Sequence, residues 1–111
     1  MQKLIRSPLR PKKPDNILLM IRKCIEADRF TDTIHSLERR KQRGISLTEI
    51  LHVLKTGRNE KNKDCFDEVF RSWNYSIRGI TIDKEDLRVI VAFYKDTNLL
   101  LITAFYLGKE N

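Results

Sequence analysis

Apolar residues recur at helical spacing in the first half of the chain and crowd into strand-like runs in the second. Ile17, Leu18, Ile21, Cys24 and Ile25 follow an i, i+3, i+4 pattern that predicts a helix, capped by Asp15 or Asn16 and ended by Asp28 and Arg29. Phe30 and Thr31 read as a short extended piece. A second helix is expected from Asp32 or Thr33 to Arg43, with Gly44 as a left-handed stop. Ser46-Leu47-Thr48-Glu49 has the form of a capping box and opens a third helix; Ile50, Leu51 and Leu54 supply its buried stripe and Gly57 closes it. Residues 58–64, RNEKNKD, read as a polar loop. Phe66, Val69, Phe70 and Trp73 then have helical spacing over a short stretch. From Tyr75 onward the pattern is strand-like: segments 75–82, 87–95 and 99–106 are rich in β-branched and aromatic residues, separated by turn-like DKED and DTN.

Strands joined that closely must be antiparallel neighbours. The order of elements therefore predicts an α+β fold, with N-terminal helices packed on one face of a small antiparallel sheet. One domain is expected over residues 15–111. Residues 1–14 hold all three prolines and five Lys/Arg with no apolar period, and read as a basic, flexible arm. No apolar run approaches the roughly 20 residues of a membrane span, and no apolar signal region follows the basic start. A cytoplasmic protein without membrane contact is the expectation.

Composition adds exclusions. Cys24 and Cys65 stand far apart, with no CxxC or nearby His–Cys spacing, so no metal site is expected and both read as buried, reduced thiols. Glycine-rich phosphate loops are absent, and no cofactor is expected. Charge says more. Residues 1–63 hold 16 Lys/Arg against 7 Asp/Glu, whereas residues 64–111 hold 6 against 8. That asymmetry suits an anionic partner better than uniform basicity would.

The densest cations lie in HSLERRKQRGIS, residues 35–46. His35, Arg39 and Arg43 are spaced to share one helix face, with Arg40 and Lys41 beside them. Cations at a helix C-terminus offset its dipole by about 0.3–1 kcal/mol each, which accounts for one or two of them. Four in five positions exceed a cap's needs and point to phosphate. In the final hairpin, a three-residue Asp96-Thr97-Asn98 loop with Asn98 left-handed would put Lys95 opposite Leu99 and Arg88 opposite Tyr106. A two-residue loop would put Arg88 and Tyr106 on opposite faces. Tyr75 joins that end if the DKED connection is even in length, Arg78 if it is odd.

Such groups can act on RNA without a metal, because RNA carries its own nucleophile in the 2′-hydroxyl. The protein need only align it, move protons and stabilise charge on phosphorus. His35, Arg88 and Tyr106 are the candidate catalytic residues; Arg39, Arg40, Arg43, Arg78 and the loop residues Lys61 and Lys63 are candidates for binding RNA phosphates. A non-catalytic nucleic-acid-binding module and a basic protein-interaction domain are the other two functions this charge pattern fits.

The stretches HSLERRKQRGISLTEILHVLKTG and RGITIDKEDLRVIVAFYKDTNLLLITAFY resemble a widespread uncharacterised bacterial domain. The shared positions are His35, Arg39, Arg43, Gly44, Ile45, Ser46, Leu54, Gly57, Ile102, Thr103 and Tyr106. The resemblance implies the toxin of a type II toxin–antitoxin system, paired with a zinc-finger antitoxin; a helix-turn-helix antitoxin is the other expected type. The order of elements is also similar to the motility quorum-sensing regulator toxins among the RelE-like messenger-RNA interferases, with CFDEVF as the aromatic-acidic segment. That likeness implies metal-free cleavage of messenger RNA, free or on the ribosome. Where that family has a glutamine, a strand tyrosine and a near-terminal lysine, this chain has Asp67, Arg88 and Tyr106; the family's loop lysine corresponds to Lys61 or Lys63.

Overall fold

The structure is a computed structural model and describes residues 9–95 and 97–108. Among them are three α-helices and six strands: α1 (Ile17–Glu26), β1 (Phe30–Asp32), α2 (Ile34–Arg43), α3 (Leu47–Thr56), β2 (Arg58–Asn59), β3 (Cys65–Asp67), β4 (Ser72–Ile80), β5 (Asp86–Tyr94) and β6 (Asn98–Tyr106), with a 3-10 turn at Lys61–Lys63 between β2 and β3. The sheet order is β1-β6-β5-β4-β2, and β3 pairs with the start of β4. All pairings are antiparallel except β1 with β6, which run parallel. The chain thus has the α+β fold that its element order predicts. No helix among the described residues is long and apolar enough to cross a membrane.

Hydrophobic burial fixes the layers. Ile17, Ile21, Cys24 and Ile25 of α1 and Ile50, Val53 and Leu54 of α3 form one cluster with Tyr75, Ile77, Leu87, Val89, Val91, Leu99, Leu101 and Ala104 of the sheet. Because strand side chains alternate, the intervening residues (Ser76, Arg78, Asp86, Arg88, Ile90, Thr103 and Phe105) look out of the other face. α1 and α3 cover the first face; α2 instead lies along β6, where its Arg43 reaches Thr103 and Phe105 on the second.

The helix ends follow the sequence closely. Thr33 caps α2 by accepting from the Ser36 amide, Gly44 takes a left-handed φ of 68°, and Ser46 with Glu49 completes the capping box of α3. α2 is nearly polar all round, with only Ser36 buried. Its two ends hold it along β6: Thr33 Oγ1 donates to the Leu101 carbonyl at 2.9 Å, and Arg43 Nη1 to the Ala104 carbonyl at 2.8 Å.

Three expectations are corrected, and one alternative that the sequence leaves open is decided. The aromatic-acidic stretch is a hairpin rather than a helix. Phe66 stands directly opposite Trp73, edge to face at 5.2 Å, and Asp67 starts the turn by accepting from the Val69 and Phe70 amides. Segment 58–64 is not wholly loop, because Arg58 and Asn59 pair with β4. Cys65 is exposed; only Cys24 is a buried thiol, and burial raises its pKa. Finally, Arg88 does not face Tyr106. Tyr94 pairs with Asn98, so Asn98 is already strand and the left-handed residue is Lys95 with φ 56°; Asp96 lies outside the described residues. A bulge then leaves Ile102 unpaired between Val91↔Leu101 and Ile90↔Thr103. Without that extra residue, Arg88 would oppose Ala104 and share a face with Tyr106. With it, Arg88 opposes Phe105, and Tyr106 turns to the helix-covered side.

Of the basic arm, residues 1–8 lie outside the described residues. The following stretch is tied down: Arg10 pairs with Glu68 at 2.7 Å, Lys13 with Asp64 at 2.9 Å, and the Trp73 indole donates to the Pro11 carbonyl at 2.7 Å.

Candidate nucleic-acid interface

Cross-strand register builds the open face. Arg58 pairs with Arg78, Arg78 with Arg88, and Arg88 with Phe105, so four side chains stand in a row across β2, β4, β5 and β6. Directly opposed residues share a face, and three strand spacings carry the row over about 14 Å. The five-residue connection between Ile80 and Asp86 is odd, which brings Arg78 rather than Tyr75 beside Arg88.

Two carboxylates hold the middle of the row. Arg88 forks onto Glu60, Nε at 2.7 Å and Nη2 at 3.0 Å. Arg78 forks onto Asp86 at 3.0 and 2.6 Å and also reaches Glu60 at 3.4 Å. The Ser76 hydroxyl donates to Glu60 at 3.0 Å. The Arg88 guanidinium is the main reason the Glu60 carboxyl is held at about 2, well below its usual 4.5, against the opposing effect of burial. Arg78 likewise lowers Asp86. In this middle section the charges cancel, and the guanidiniums are rigidly placed.

A pH dependence follows. Glu60 has a folded pKa below its unfolded one, so its contribution is complete above about 4.5 and is lost as pH falls toward 2. The side chain is only 10% exposed, which limits screening. We expect about 2 kcal/mol of stability to disappear across that window. Thermal melts of wild type and Glu60→Gln from pH 6 to 2.5 check this: the variant should start lower and lose less. Parallel curves would refute the assignment.

The outer end of the row is different. Arg43 comes from α2, beyond β6, and its Nη1 also lies 3.3 Å from the Thr103 hydroxyl. Its guanidinium carbon is 5.8 Å from the Phe105 ring centre, and that of Arg88, arriving from β5, is also 5.8 Å away. Among the described residues Arg43 meets no carboxylate, so its charge is uncompensated. By helical spacing, Arg39 and His35 stand one and two turns back on the same flank, and both are exposed.

The candidate residues therefore divide. His35, Arg39 and Arg43 share the α2 flank, and Arg43 meets Arg88 at Phe105, with Arg78 next along the row. Arg40 stands apart: it pairs with Asp32 at 2.8 Å, both side chains 17% exposed, and donates to the Ile45 carbonyl. Tyr106 donates to Glu49 at 2.9 Å on the opposite side of the sheet, and burial first, then Glu49, raises its pKa to about 12. It ties the end of β6 to α3. Lys61 and Lys63 are exposed on the 3-10 turn, where Lys61 lines a cavity of about 260 Å³ with Lys12, Lys13 and the start of α1.

Sequence reasoning missed Glu60 and Phe105, and it named Thr103 only as a shared position of the resembled domain, with no place in the site. Thr103 and Phe105 were readable only with the bulge known. Glu60 sits in a polar stretch without pattern. No cluster of three or more His, Cys, Asp or Glu side chains suited to a metal ion occurs among the described residues.

Residues 33–106 match the family model described as a domain of unknown function, DUF4258. No curated protein and no solved structure matches the chain.

Proposed function

The chain belongs to the DUF4258 family, and we propose that it is an RNA-cleaving domain of the toxin type, binding RNA along the α2 flank and the open sheet face. One observation carries this reading. Uncompensated, half-buried Arg43 joins the exposed His35 and Arg39 to a pre-positioned row of arginines, so a proton-exchanging group shares a flank with phosphate-binding forks.

The chemistry is transesterification. His35 accepts the proton of the RNA 2′-hydroxyl as that oxygen attacks the adjacent phosphorus. Arg39 and Arg43 stabilise the charge gathering on the phosphoryl oxygens, and the bond to the 5′-oxygen breaks, with water returning a proton to the leaving group. The products are a 2′,3′-cyclic phosphate and a 5′-hydroxyl. Arg88, held by Glu60, is a positioning and charge-stabilising group in this scheme. In this proposal the protein works in the cytoplasm on messenger RNA, free or on the ribosome, and is silenced by an antitoxin that covers the arginine row.

A second reading, RNA binding without scission, is favoured by Tyr106 lying on the far side of the sheet, which removes one of the three candidate catalytic residues from the site. End-mapping of a defined messenger RNA, with chelator and with or without ribosomes, separates the two. Discrete new ends with cyclic phosphates support cleavage; bound but intact RNA supports the module; no binding at low salt overturns both. In either case Arg43→Ala is expected to weaken RNA binding and to reduce the salt dependence by about one counterion, measured as the slope of log affinity against log salt. An unchanged slope would remove Arg43 from the interface.

A further inference from the structure

We propose that the Phe105 ring seats an unpaired base, which makes the substrate class single-stranded rather than duplex RNA. The inference rests on the RNA reading above and deepens it. Phe105 is a half-buried aromatic ring on the face away from α1 and α3, at the junction of the neutralised and uncompensated parts of the arginine row.

Its neighbours are fixed from both sides of β6. Arg88 is locked by Glu60, and Arg43 is anchored through Nη1 to the Ala104 carbonyl and Thr103 hydroxyl. Each guanidinium carbon stands 5.8 Å from the ring centre. Both distances lie at the outer limit of the roughly 6 Å of a cation–π contact, so the two guanidiniums flank the ring and orient it. Arg43 keeps its Nε and Nη2 donors for phosphate oxygens, having spent Nη1 on the protein.

A π-face beside phosphate donors is the arrangement that single strands use. Every base offers a π-face, so stacking tolerates sequence, but the base must be out of a helix to reach the ring. A-form duplex buries its base faces and presents phosphates and 2′-hydroxyls instead. A lone aromatic would gain nothing from it.

The test uses the full chain and three 12-nucleotide 2′-O-methyl RNA probes, which cannot be cut: a single strand, the same strand with abasic positions, and its duplex. Wild type should bind the single strand about tenfold more tightly than the duplex. Phe105→Leu should lose about tenfold on the base-bearing strand, and less than about twofold on the abasic one. Phe105→Trp should restore affinity, and all three proteins should melt alike. If Phe105→Leu weakens both strands equally, or the duplex binds as well as the single strand, the base seat is refuted while RNA binding stands. If wild type binds none of the probes at low salt, the RNA reading itself falls.

Discussion

Glutamine in place of His35 is expected to slow RNA cleavage by about 10²–10⁴-fold, the usual worth of a positioned proton-transfer group. The fold should not suffer. His35 is exposed on α2, no core residue leans on it, and glutamine is at least as good a helix former. Arg39 and Arg43 remain to hold phosphate, so RNA affinity should stay within about twofold, and the loss should fall on kcat rather than KM. The pH–rate profile gives a sharper readout than rate alone. A general base produces a rising limb, and that limb should vanish in the variant. Added imidazole should restore part of the rate to His35→Ala. Unchanged cleavage, or a loss confined to KM, would mean that His35 only binds.

That prediction was partly legible in the sequence. The i, i+4, i+8 spacing of His35, Arg39 and Arg43 needed only a helix from Thr33 to Gly44, and capping chemistry at both ends specified one. What the pattern could not give was the helix's neighbour. α2 buries one serine, so its own sequence has almost no apolar stripe to say which way it faces; polar contacts at its ends, from Thr33 and Arg43 to β6, set its orientation.

Sheet register was less legible for a different reason. Leu99, Leu100, Leu101 and Ile102 form an unbroken apolar run, and period two cannot be read where every position is apolar. The bulge at Ile102 lies inside that run and reverses the facing of everything after it. Tyr106 was lost to the site and Phe105 gained by that one residue. Glu60 was hidden for a third reason: its role depends on two arginines, 18 and 28 positions away, meeting across strands. Local signals fixed elements; long-range pairing fixed the site.

The same long-range logic makes Gly57 the most tightly constrained of the described glycines. Gly57 follows α3 with a φ of −82°, so it needs no left-handed freedom; it needs the absence of a side chain. A Cβ there would stand 2.5 Å from the Arg78 carbonyl oxygen and 2.7 Å from that of Val53, both backbone atoms that cannot swing aside. Opposite it, a Cβ on Gly79 would lie 3.0 Å from the Gly57 Cα. The two glycines let the end of α3 press against β4, and Arg22 locks the junction by donating to the Leu54 and Gly57 carbonyls. Gly57→Ala should therefore lower stability by about 3 kcal/mol, the upper part of the usual overpacking range, and the melting temperature by more than about 10 °C. Gly79→Ala should cost less, since one of its close contacts is a Val53 methyl at 3.3 Å. Gly44→Ala should cost about 1 kcal/mol from its positive φ alone, with no atom within 4 Å. The Gly57 change also displaces the strand that carries Arg78, so RNA binding should weaken in the fraction that remains folded. Denaturant melts of the three variants decide the order. A Gly57→Ala protein as stable as wild type would mean that α3 and β4 do not meet this closely, and would remove the rigid backing on which the arginine row depends.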